Sequence, residues 1–482
     1  MNRHFFIPLF LVCCLSSPAA SLELTPCELG APMGLVTTSA ECGWLTVAEN
    51  PHRPDARTID LRVAVLRARS DTPQPDPVFF FAGGPGQSAL ESFRAVAAAL
   101  ALLRRERDIV LVDQRGSGAS NPLRCPGPTD LSALLRTPSA AEIRQTTRDC
   151  LQQLDADTHY YTTTQSAADI DAVRQALGYQ RINLFGISYG TRLAQVYLRH
   201  YPDPVRTVTL DGVVPMELML GSEHALRLEQ TLLAIFASCA QEAACNTAFP
   251  GVSQHFETLK QKVRAEPVEI EATLPLSGRA ISMRFNEEVL AASLRMLAYA
   301  PAGQAVLPLL VYEAATKHQY QRLANMALMI VENLSETIYR GLEVSVICAE
   351  DVPFFPATPL YPDTLLGDGI IEISRQQCQW WPHTSVSADF HEPVKSEVPV
   401  LLLSGEFDPV TPPAYAEQVV RYFPNGRHLV GPGQGHGISN RGCVPKLLAE
   451  FVNAGNAADI DGGCLEDLGS TPFFINLLGG EP

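Results

Sequence analysis

Short apolar runs recur along the first 210 positions, and most of them are followed by a glycine-rich loop or by a segment with helical spacing. Residues 57–67 alternate between apolar and polar side chains, which predicts a half-exposed strand. Uniformly apolar runs predict buried strands at 78–81 and 109–112, and shorter apolar patterns predict further strands at 182–185 and 207–210. Helical spacing predicts helices at 89–105, 166–177 and 190–200.

This alternation of strands and helices predicts an α/β fold in which a mostly parallel sheet carries helices on both faces. The pattern stops near residue 215, becomes mostly helical, and resumes with an apolar strand at 398–403. We therefore expect one core formed by residues 22–214 and 386–482, interrupted by a helical cap at 215–385. Such a cap is expected over the carboxyl ends of the strands, where open α/β sheets bind ligands.

Composition and charge exclude several kinds of partner. The chain has 482 residues, 46% of them hydrophobic, and a formal net charge of −16. An acidic surface disfavours nucleic acid and anionic membranes. No Cys-x-x-Cys pair is present, and no pattern implies a metal or another cofactor.

Residues 1–21 have the pattern of an export signal. A short basic stretch at 2–4 precedes an apolar run at 5–15 and small residues at 16–21. We expect a periplasmic or secreted protein without stable membrane association once this segment is removed; the alternative is that the segment remains as an anchor.

Ten cysteines follow residue 21, an even number that fits disulfide bonding in an oxidising compartment. Because they fall into five groups of sequence neighbours, we predict the pairs Cys27–Cys42, Cys125–Cys150, Cys239–Cys245, Cys348–Cys378 and Cys443–Cys464.

The pentapeptide Gly186–Gly190 has the form Gly-x-Ser-x-Gly and lies between a predicted strand and a predicted helix. A serine on such a sharp turn is exposed as a nucleophile, and its flanking glycines leave room for the strand and the helix to pack. Ser188 is therefore the predicted nucleophile.

A nucleophilic serine needs a base, and the base needs a carboxylate that orients it. Asp408 follows the strand at 398–403, and His436 comes later between small residues, which gives the chain order serine, acid, histidine. Glu406 is the competing acid, but it adjoins the end of the strand rather than the loop.

The developing oxyanion needs two hydrogen-bond donors. We predict the main-chain N–H of Tyr189 as one donor, and that of Gly84, with Gly83 as the second choice, as the other. Pro85 has no N–H to offer. Asp113 and Arg115, after the strand at 109–112, are expected to pair internally and to shape the neighbouring loop.

These motifs together resemble the proline iminopeptidase and tripeptidyl aminopeptidase family of α/β-hydrolases. The resemblance covers residues 30–450 and is most specific in Gly-Gly-Pro-Gly at 83–86, Asp-Gln-Arg-Gly-x-Gly at 113–118 and Gly-x-Ser-Tyr-Gly at 186–190. It implies removal of residues from a free peptide amino terminus beneath a helical cap. Ala82 stands where many iminopeptidases have histidine, which puts one polar contact in doubt but not the triad.

Exopeptidase action requires an anionic group for the ammonium of the peptide substrate. Glu350 and Asp351 are the predicted anchors, because they are adjacent and lie in the predicted cap; Glu343 and Glu372 are weaker candidates. Two other functions remain open: a carboxylesterase that uses the same triad, and a non-catalytic binding protein built on a hydrolase scaffold.

Overall fold

The computed structural model describes residues 22–30, 37–126, 136–274, 278–357 and 359–480. The predicted export signal at 1–21 lies outside the described residues. No helix within these ranges is long and apolar enough to cross a membrane. The same ranges contain no cluster of three or more histidine, cysteine or acidic side chains that could hold a metal ion.

The strands form one large sheet and one separate hairpin. They are β1 (Thr25–Gly30), β2 (Thr37–Ala48), β3 (Thr58–Leu66), β4 (Val78–Phe81), β5 (Ile109–Val112), β6 (Ile182–Ile187), β7 (Val205–Asp211), β8 (Val268–Thr273), β9 (Ala280–Phe285), β10 (Val400–Gly405) and β11 (Gly426–Gly431). The large sheet has the order β1-β2-β3-β5-β4-β6-β7-β10-β11, and β8 pairs with β9. From β5 to β11 all neighbouring strands are parallel, whereas β1, β2 and β3 join the sheet antiparallel.

The helices follow the predicted alternation. They are α1 (Ala89–Leu100), α2 (Ala140–Gln153), α3 (Thr163–Ala176), α4 (Tyr189–His200), α5 (His224–Gln241), α6 (Ala243–Ala248), α7 (Val252–Ala265), α8 (Glu287–Leu297), α9 (Pro301–Lys317), α10 (Gln321–Thr337), α11 (Arg340–Glu350), α12 (Gly369–Cys378), α13 (Pro413–Val420) and α14 (Val444–Ala454). The predicted helix at 89–105 ends earlier than expected, and a short 3-10 turn follows at Leu103–Arg105.

The central strands β4 and β5 are buried on both faces of the sheet, as their uniformly apolar runs predict. In β4, Phe79 and Phe81 pack into a core that includes residues of α3 and α4, whereas Val78 and Phe80 pack into the opposite core with residues of α1 and α14. Successive side chains of a strand point to opposite faces, so an uninterrupted apolar run fits a strand covered on both sides. The predicted fold class is therefore confirmed: this is an α/β protein with a mostly parallel sheet.

The chain leaves the sheet after β7 and returns to it at β10; we call residues 215–385 the insertion. α5, α7, α8, α9 and α10 contribute to a third apolar core, in which Leu232, Phe256, Leu294 and Leu310 are buried. The hairpin of β8 and β9 also belongs to this part of the chain. The sequence did not predict that hairpin, because each of its strands alternates polar and apolar residues over only six positions.

Disulfide bonds join sequence neighbours. The structure contains Cys27–Cys42, Cys125–Cys150, Cys239–Cys245, Cys348–Cys378 and Cys443–Cys464, which are the predicted pairs. Cys348 lies in α11 and Cys378 ends α12, so this bond links two helices of the insertion.

Candidate active site

Ser188 lies on a strained turn between β6 and α4. Its φ is +57° and its ψ is −125°, a conformation that side-chain-bearing residues rarely adopt. A Cβ on Gly186 would come within 2.2 Å of the carbonyl oxygen of Gly190, and one on Gly190 within 2.2 Å of the carbonyl oxygen of Phe81. Both glycines are therefore required by the packing of this turn, and backbone strain of this kind is typical of functional positions.

Asp408 and His436 form a hydrogen-bonded pair. Nδ1 of His436 lies 2.8 Å from Oδ2 of Asp408, which is fully buried. The main-chain N–H groups of Val410 and Thr411 donate to Oδ1 at 2.9 and 2.8 Å, and the Thr411 hydroxyl donates to Oδ2 at 2.8 Å. A carboxylate with several donors keeps its orientation, so Asp408 can fix the ring of His436.

The surroundings of Asp408 and His436 shift the pKa values of both side chains. Burial raises the pKa of Asp408, but the nearby charge of His436 and the hydrogen bonds to Asp408 outweigh burial and leave the pKa below its usual value. For His436, burial lowers the pKa, but the Asp408 carboxylate outweighs it, with a further contribution from Asp211, and the pKa is raised. The imidazolium that forms when His436 takes a proton is therefore stabilised.

Glu406, the competing acid, has another role. Its Oε2 accepts a hydrogen bond of 2.8 Å from the main-chain N–H of Gly433. It therefore holds the loop that precedes His436 and is not the carboxylate on the histidine ring.

Asp211, at the end of β7, connects the nucleophile turn to the histidine loop. Its carbonyl oxygen accepts a hydrogen bond of 2.9 Å from the N–H of Ser188. Its carboxylate accepts from the N–H groups of Ile438 and Ser439 at 3.0 and 2.8 Å. This role of Asp211 was not predicted from the sequence, where the available signal is a single acidic residue at the carboxyl end of a buried strand.

The predicted oxyanion loop lies beside Ser188. A Cβ on Gly83 would lie 3.1 Å from the Cβ of Ser188, so main chain approaches the nucleophile closely here. Gly84 has a φ of +108° and lines the cavity in front of Ser188, as does Tyr189 at the first position of α4. The first N–H groups of a helix have no partner within the helix, so the Tyr189 N–H fits the role of a donor. Assignment of the second donor to Gly84 or to Gly83 stays a prediction.

Asp113 and Arg115 both pair with other residues of the protein interior, but they do not pair with each other. Arg115 is buried and makes two hydrogen bonds to Asp169, at 2.6 and 2.7 Å. Asp113 accepts from the Ser88 hydroxyl at 2.5 Å, and burial raises its pKa to about 6. Both side chains hold loops next to the site rather than facing the cavity.

Glu350 and Asp351 do not lie on the cavity, in contrast to the predicted role as amine anchors. Both are fully buried. Glu350 accepts from the N–H and the hydroxyl of Thr163 at 2.6 and 2.7 Å, and Asp351 accepts from Arg192 at 2.9 Å and from the N–H of Leu220 at 2.7 Å. The predicted anchor role is therefore corrected: both carboxylates bind interior groups, among them residues of α3 and α4, and neither lines the cavity, although Oδ2 of Asp351 has no hydrogen-bond partner among the described residues.

Of the two weaker candidates, Glu343 lines the cavity and Glu372 does not. Glu343 forms an ion pair with Arg340 through Oε2, and no described group donates a hydrogen bond to its Oε1. Glu372 is exposed on α12 and accepts a hydrogen bond of 2.9 Å from Gln376.

A cavity of about 570 Å³ opens in front of Ser188 between the sheet and the insertion. The sheet side contributes Gly84, Pro85, Ser188, Tyr189, Val410 and Thr411 to its wall. The insertion contributes polar side chains, His224, Arg295, Tyr299, Arg340 and Glu343, together with apolar ones such as Leu220 and Ile347. The volume is in the range of small-molecule and short-peptide sites.

Comparison with known proteins yields several relatives. The chain is 30% identical over 243 residues to the serine protease Hip1 of Mycobacterium tuberculosis, an alignment that covers 46% of each chain. It is 30% identical over 194 residues to a tripeptidyl aminopeptidase of Streptomyces lividans, covering 36% of this chain and 35% of the relative. It is 32% identical over 225 residues to carboxylesterase B of M. tuberculosis, covering 43% of each. The chain thus spans less than half the length of these relatives.

A family-level match extends further than any of these pairwise alignments. The α/β hydrolase fold family matches residues 76–439, which include β4, the Ser188 turn and the loops of Asp408 and His436. This match agrees with the fold, with the strained turn at Ser188 and with the pair of Asp408 and His436. The chain belongs to the α/β hydrolase fold family.

Proposed function

We propose that this protein is an exported serine aminopeptidase, which cleaves peptide bonds near free amino termini. The observation that carries the proposal is the strained Ser188 turn, which Asp211 joins to the loop of His436 and its partner Asp408, at a cavity lined by a carboxylate. Relatives named as a serine protease and a tripeptidyl aminopeptidase support a peptide as the substrate.

The reaction follows from the roles of the three side chains. The Oγ of Ser188 forms a bond to the scissile carbonyl carbon while its proton passes to Nε2 of His436, and the carbonyl electron pair moves to the oxygen. N–H groups of Tyr189 and of Gly84 or Gly83 stabilise that oxyanion. The C–N bond then breaks as Nε2 returns the proton to the leaving nitrogen. Water, deprotonated by His436, hydrolyses the acyl-enzyme and restores the serine hydroxyl.

Glu343 is the proposed anchor for the substrate ammonium. Within the described part of the chain it is the one carboxylate on the cavity wall, and its Oε1 is free of other hydrogen bonds. Its neighbour Tyr339 donates its N–H to the carbonyl of Gly86 at 2.9 Å, so α11 begins beside the oxyanion loop. An ammonium held here would lie on the acyl side of the scissile bond. We further propose that residues 215–385 act as a cap that limits access to short or unblocked termini.

Export is part of the proposal. Five disulfide bonds need an oxidising compartment to form and persist, and the pattern of residues 1–21 fits an export signal. Cell fractionation of the expressed full chain should place the active, disulfide-bonded protein outside the cytoplasm. Active protein confined to the cytoplasm with free thiols would contradict this part.

A panel of chromogenic tripeptide amides tests the activity, with each peptide offered with a free and with an acetylated amino terminus. Only the free-amine series should be hydrolysed well, and Ser188→Ala should reduce kcat by about 10⁶. A fluorophosphonate probe should label the wild type and not Ser188→Ala. Equal hydrolysis of acetylated peptides would reject an aminopeptidase.

The second candidate is a carboxylesterase, which the similarity to carboxylesterase B favours. The same nucleophile, base and oxyanion hole would also cleave an ester. Efficient turnover of p-nitrophenyl esters together with no turnover of any free-amine peptide amide would select this alternative.

A further inference from the structure

We infer that Arg295 and His224 form a subsite for a carboxylate on the leaving portion of the substrate. This inference rests on the proposed peptidase function and deepens it. This carboxylate is that of an acidic side chain directly after the scissile bond or that of the carboxyl terminus of the same leaving portion. Both sources offer the same chemistry to the two side chains.

Arg295 is a cation that has no acidic partner among the described residues. It lies near the end of α8 and lines the cavity. Within the described ranges its one contact of hydrogen-bonding length is with Nδ1 of His224, at 3.4 Å, and no carboxylate lies within ion-pairing distance. By contrast, Arg340, the other cationic side chain on this wall, is paired with Glu343. An unpaired guanidinium on a cavity wall is suited to planar recognition of a carboxylate.

His224 adds a second donor next to the guanidinium. A guanidinium can only donate hydrogen bonds, so Nδ1 of His224 accepts and the ring proton lies on Nε2. Burial, with the positive charges of Arg295 and His436, lowers the pKa of His224 to about 3, so the ring is neutral near neutral pH. No described group accepts a hydrogen bond from Nε2. The wall therefore presents unsatisfied donors and no competing acceptor at this point, as a bound carboxylate requires.

The position relative to the triad assigns this subsite to the leaving group. Tyr299 follows Arg295 closely in sequence; its carbonyl accepts the N–H of His436 at 2.8 Å, and its ring meets the His436 ring edge-on at 5.1 Å. His436 delivers its proton to the leaving nitrogen. Arg295 is therefore on the same side of the cavity as the departing amine, whereas Glu343 belongs to the helix that begins beside the oxyanion loop.

Four peptides test the subsite: Glu or Gln directly after the scissile bond, each with a free or an amidated carboxyl terminus. In the wild type, the peptide with a carboxylate at the preferred position should have a kcat/KM about 10-fold or more above that of its uncharged counterpart. A ratio of this size is expected for a hydrogen bond to a charged group. Arg295→Met should bring that ratio close to one, whatever its effect on the turnover of the Gln amide peptide. Arg295→Lys should retain part of the preference. Arg284→Met is the matched control, because Arg284 is exposed on β9 and paired with Glu269.

Two results would overturn the subsite: equal kcat/KM for all four peptides in the wild type, or a proportional loss on all four in Arg295→Met. Calorimetric binding of the same peptides to Ser188→Ala, with and without Arg295→Met, separates this inference from the proposed function. If the wild type cleaves none of the peptides, the peptidase proposal fails. A carboxylate preference in binding that disappears with Arg295→Met would still support the subsite, and its absence would reject it.

Discussion

Asp211 holds Ser439 by a hydrogen bond of 2.8 Å between its carboxylate and the Ser439 N–H, although the two residues are 228 positions apart in sequence. A second such bond reaches Ile438, and the carbonyl of Asp211 accepts the N–H of Ser188. The end of β7 is thus the place where the nucleophile turn and the histidine loop are fixed to each other. Asp211 does not face substrate; it is a positioning residue.

Asp211→Asn should lower kcat by about 10- to 100-fold with little change in KM, because the N–H groups of Ile438 and Ser439 donate to different carboxylate oxygens, and the NH2 group of asparagine would face one of these donors. Loss of the negative charge also removes a contribution that raises the pKa of His436, so the acid limb of the kcat/KM profile should move to lower pH. Steady-state kinetics between pH 5 and 9 measure both effects. Asn440→Ala, an exposed change in the same loop, is the control; an unshifted acid limb in Asp211→Asn would contradict the role in positioning.

Asp408→Asn should reduce kcat by about 10⁴ near neutral pH, because the ring of His436 loses both its orientation and the charge that stabilises its imidazolium. The base must be neutral to accept the proton of Ser188. Since the pKa of His436 is raised, wild-type kcat/KM should fall on the acid side with a midpoint above the ordinary value for histidine. A midpoint well below that value, or full activity of Asp408→Asn, would reject the assignment.

Glu343→Gln should raise KM for free-amine peptides by about 30-fold or more and leave acetylated substrates within about threefold, because a charged hydrogen bond to the ammonium is lost. Glu372→Gln is the matched control, since Glu372 is an exposed glutamate outside the cavity wall. Equal losses on both classes of substrate would indicate a disturbed fold around Arg340 instead of a lost anchor.

Glu350→Gln should change stability in a pH-dependent way. Burial is the largest cause that raises the pKa of Glu350, to about 7, so folding favours the protonated form. A raised folded-state pKa gives stability that is present below the unfolded pKa and is lost as pH rises through about 7. Glutamine mimics the protonated form, so the difference in Tm between variant and wild type should become more positive from pH 5 to pH 8. A difference that becomes more negative over this interval would mean that the pair with Arg192 dominates.

Replacing Cys348 and Cys378 by serine should lower the free energy of unfolding by about 3–4 kcal/mol in the chain-entropy model. Both cysteines line the cavity, so KM for peptides should also rise. Replacing Cys27 and Cys42, which join β1 to β2 away from the cavity wall, should lower stability and leave KM unchanged. Thermal unfolding and peptide kinetics on both double variants check this, and equal kinetic effects would contradict it.

The sequence predicted the central strands and the sharp turn at Ser188 because their signals are local. The apolar run of β4 ends directly in a glycine loop, and the Gly-x-Ser-x-Gly turn follows β6 without interruption. β11 was not predicted, since Arg427 and His428 break its apolar pattern; an edge strand is covered less completely, so its composition carries less information.

The choice between candidate amine anchors shows why other parts of the site could not be predicted from the sequence. Glu343 and Glu350 lie two turns apart on α11, and helical spacing places them on similar faces. The two residues differ in what surrounds them. Glu343 lines the cavity, whereas Glu350 accepts a hydrogen bond from Thr163 and lies near Arg192. Those partners come from α3 and α4, and no pattern within α11 indicates them.

The insertion between β7 and β10 also sets an order of assembly during synthesis. A ribosome completes the Ser188 turn long before it reaches Asp408 and His436, and β10, which pairs with β7, is made only after the insertion. Until then the proposed nucleophile has neither its proposed base nor its proposed orienting acid. We therefore expect a nascent or truncated chain that stops within the insertion to be hydrolytically silent, and the appearance of activity to report that the last fifth of the polypeptide, residues 386–482, has been made and docked.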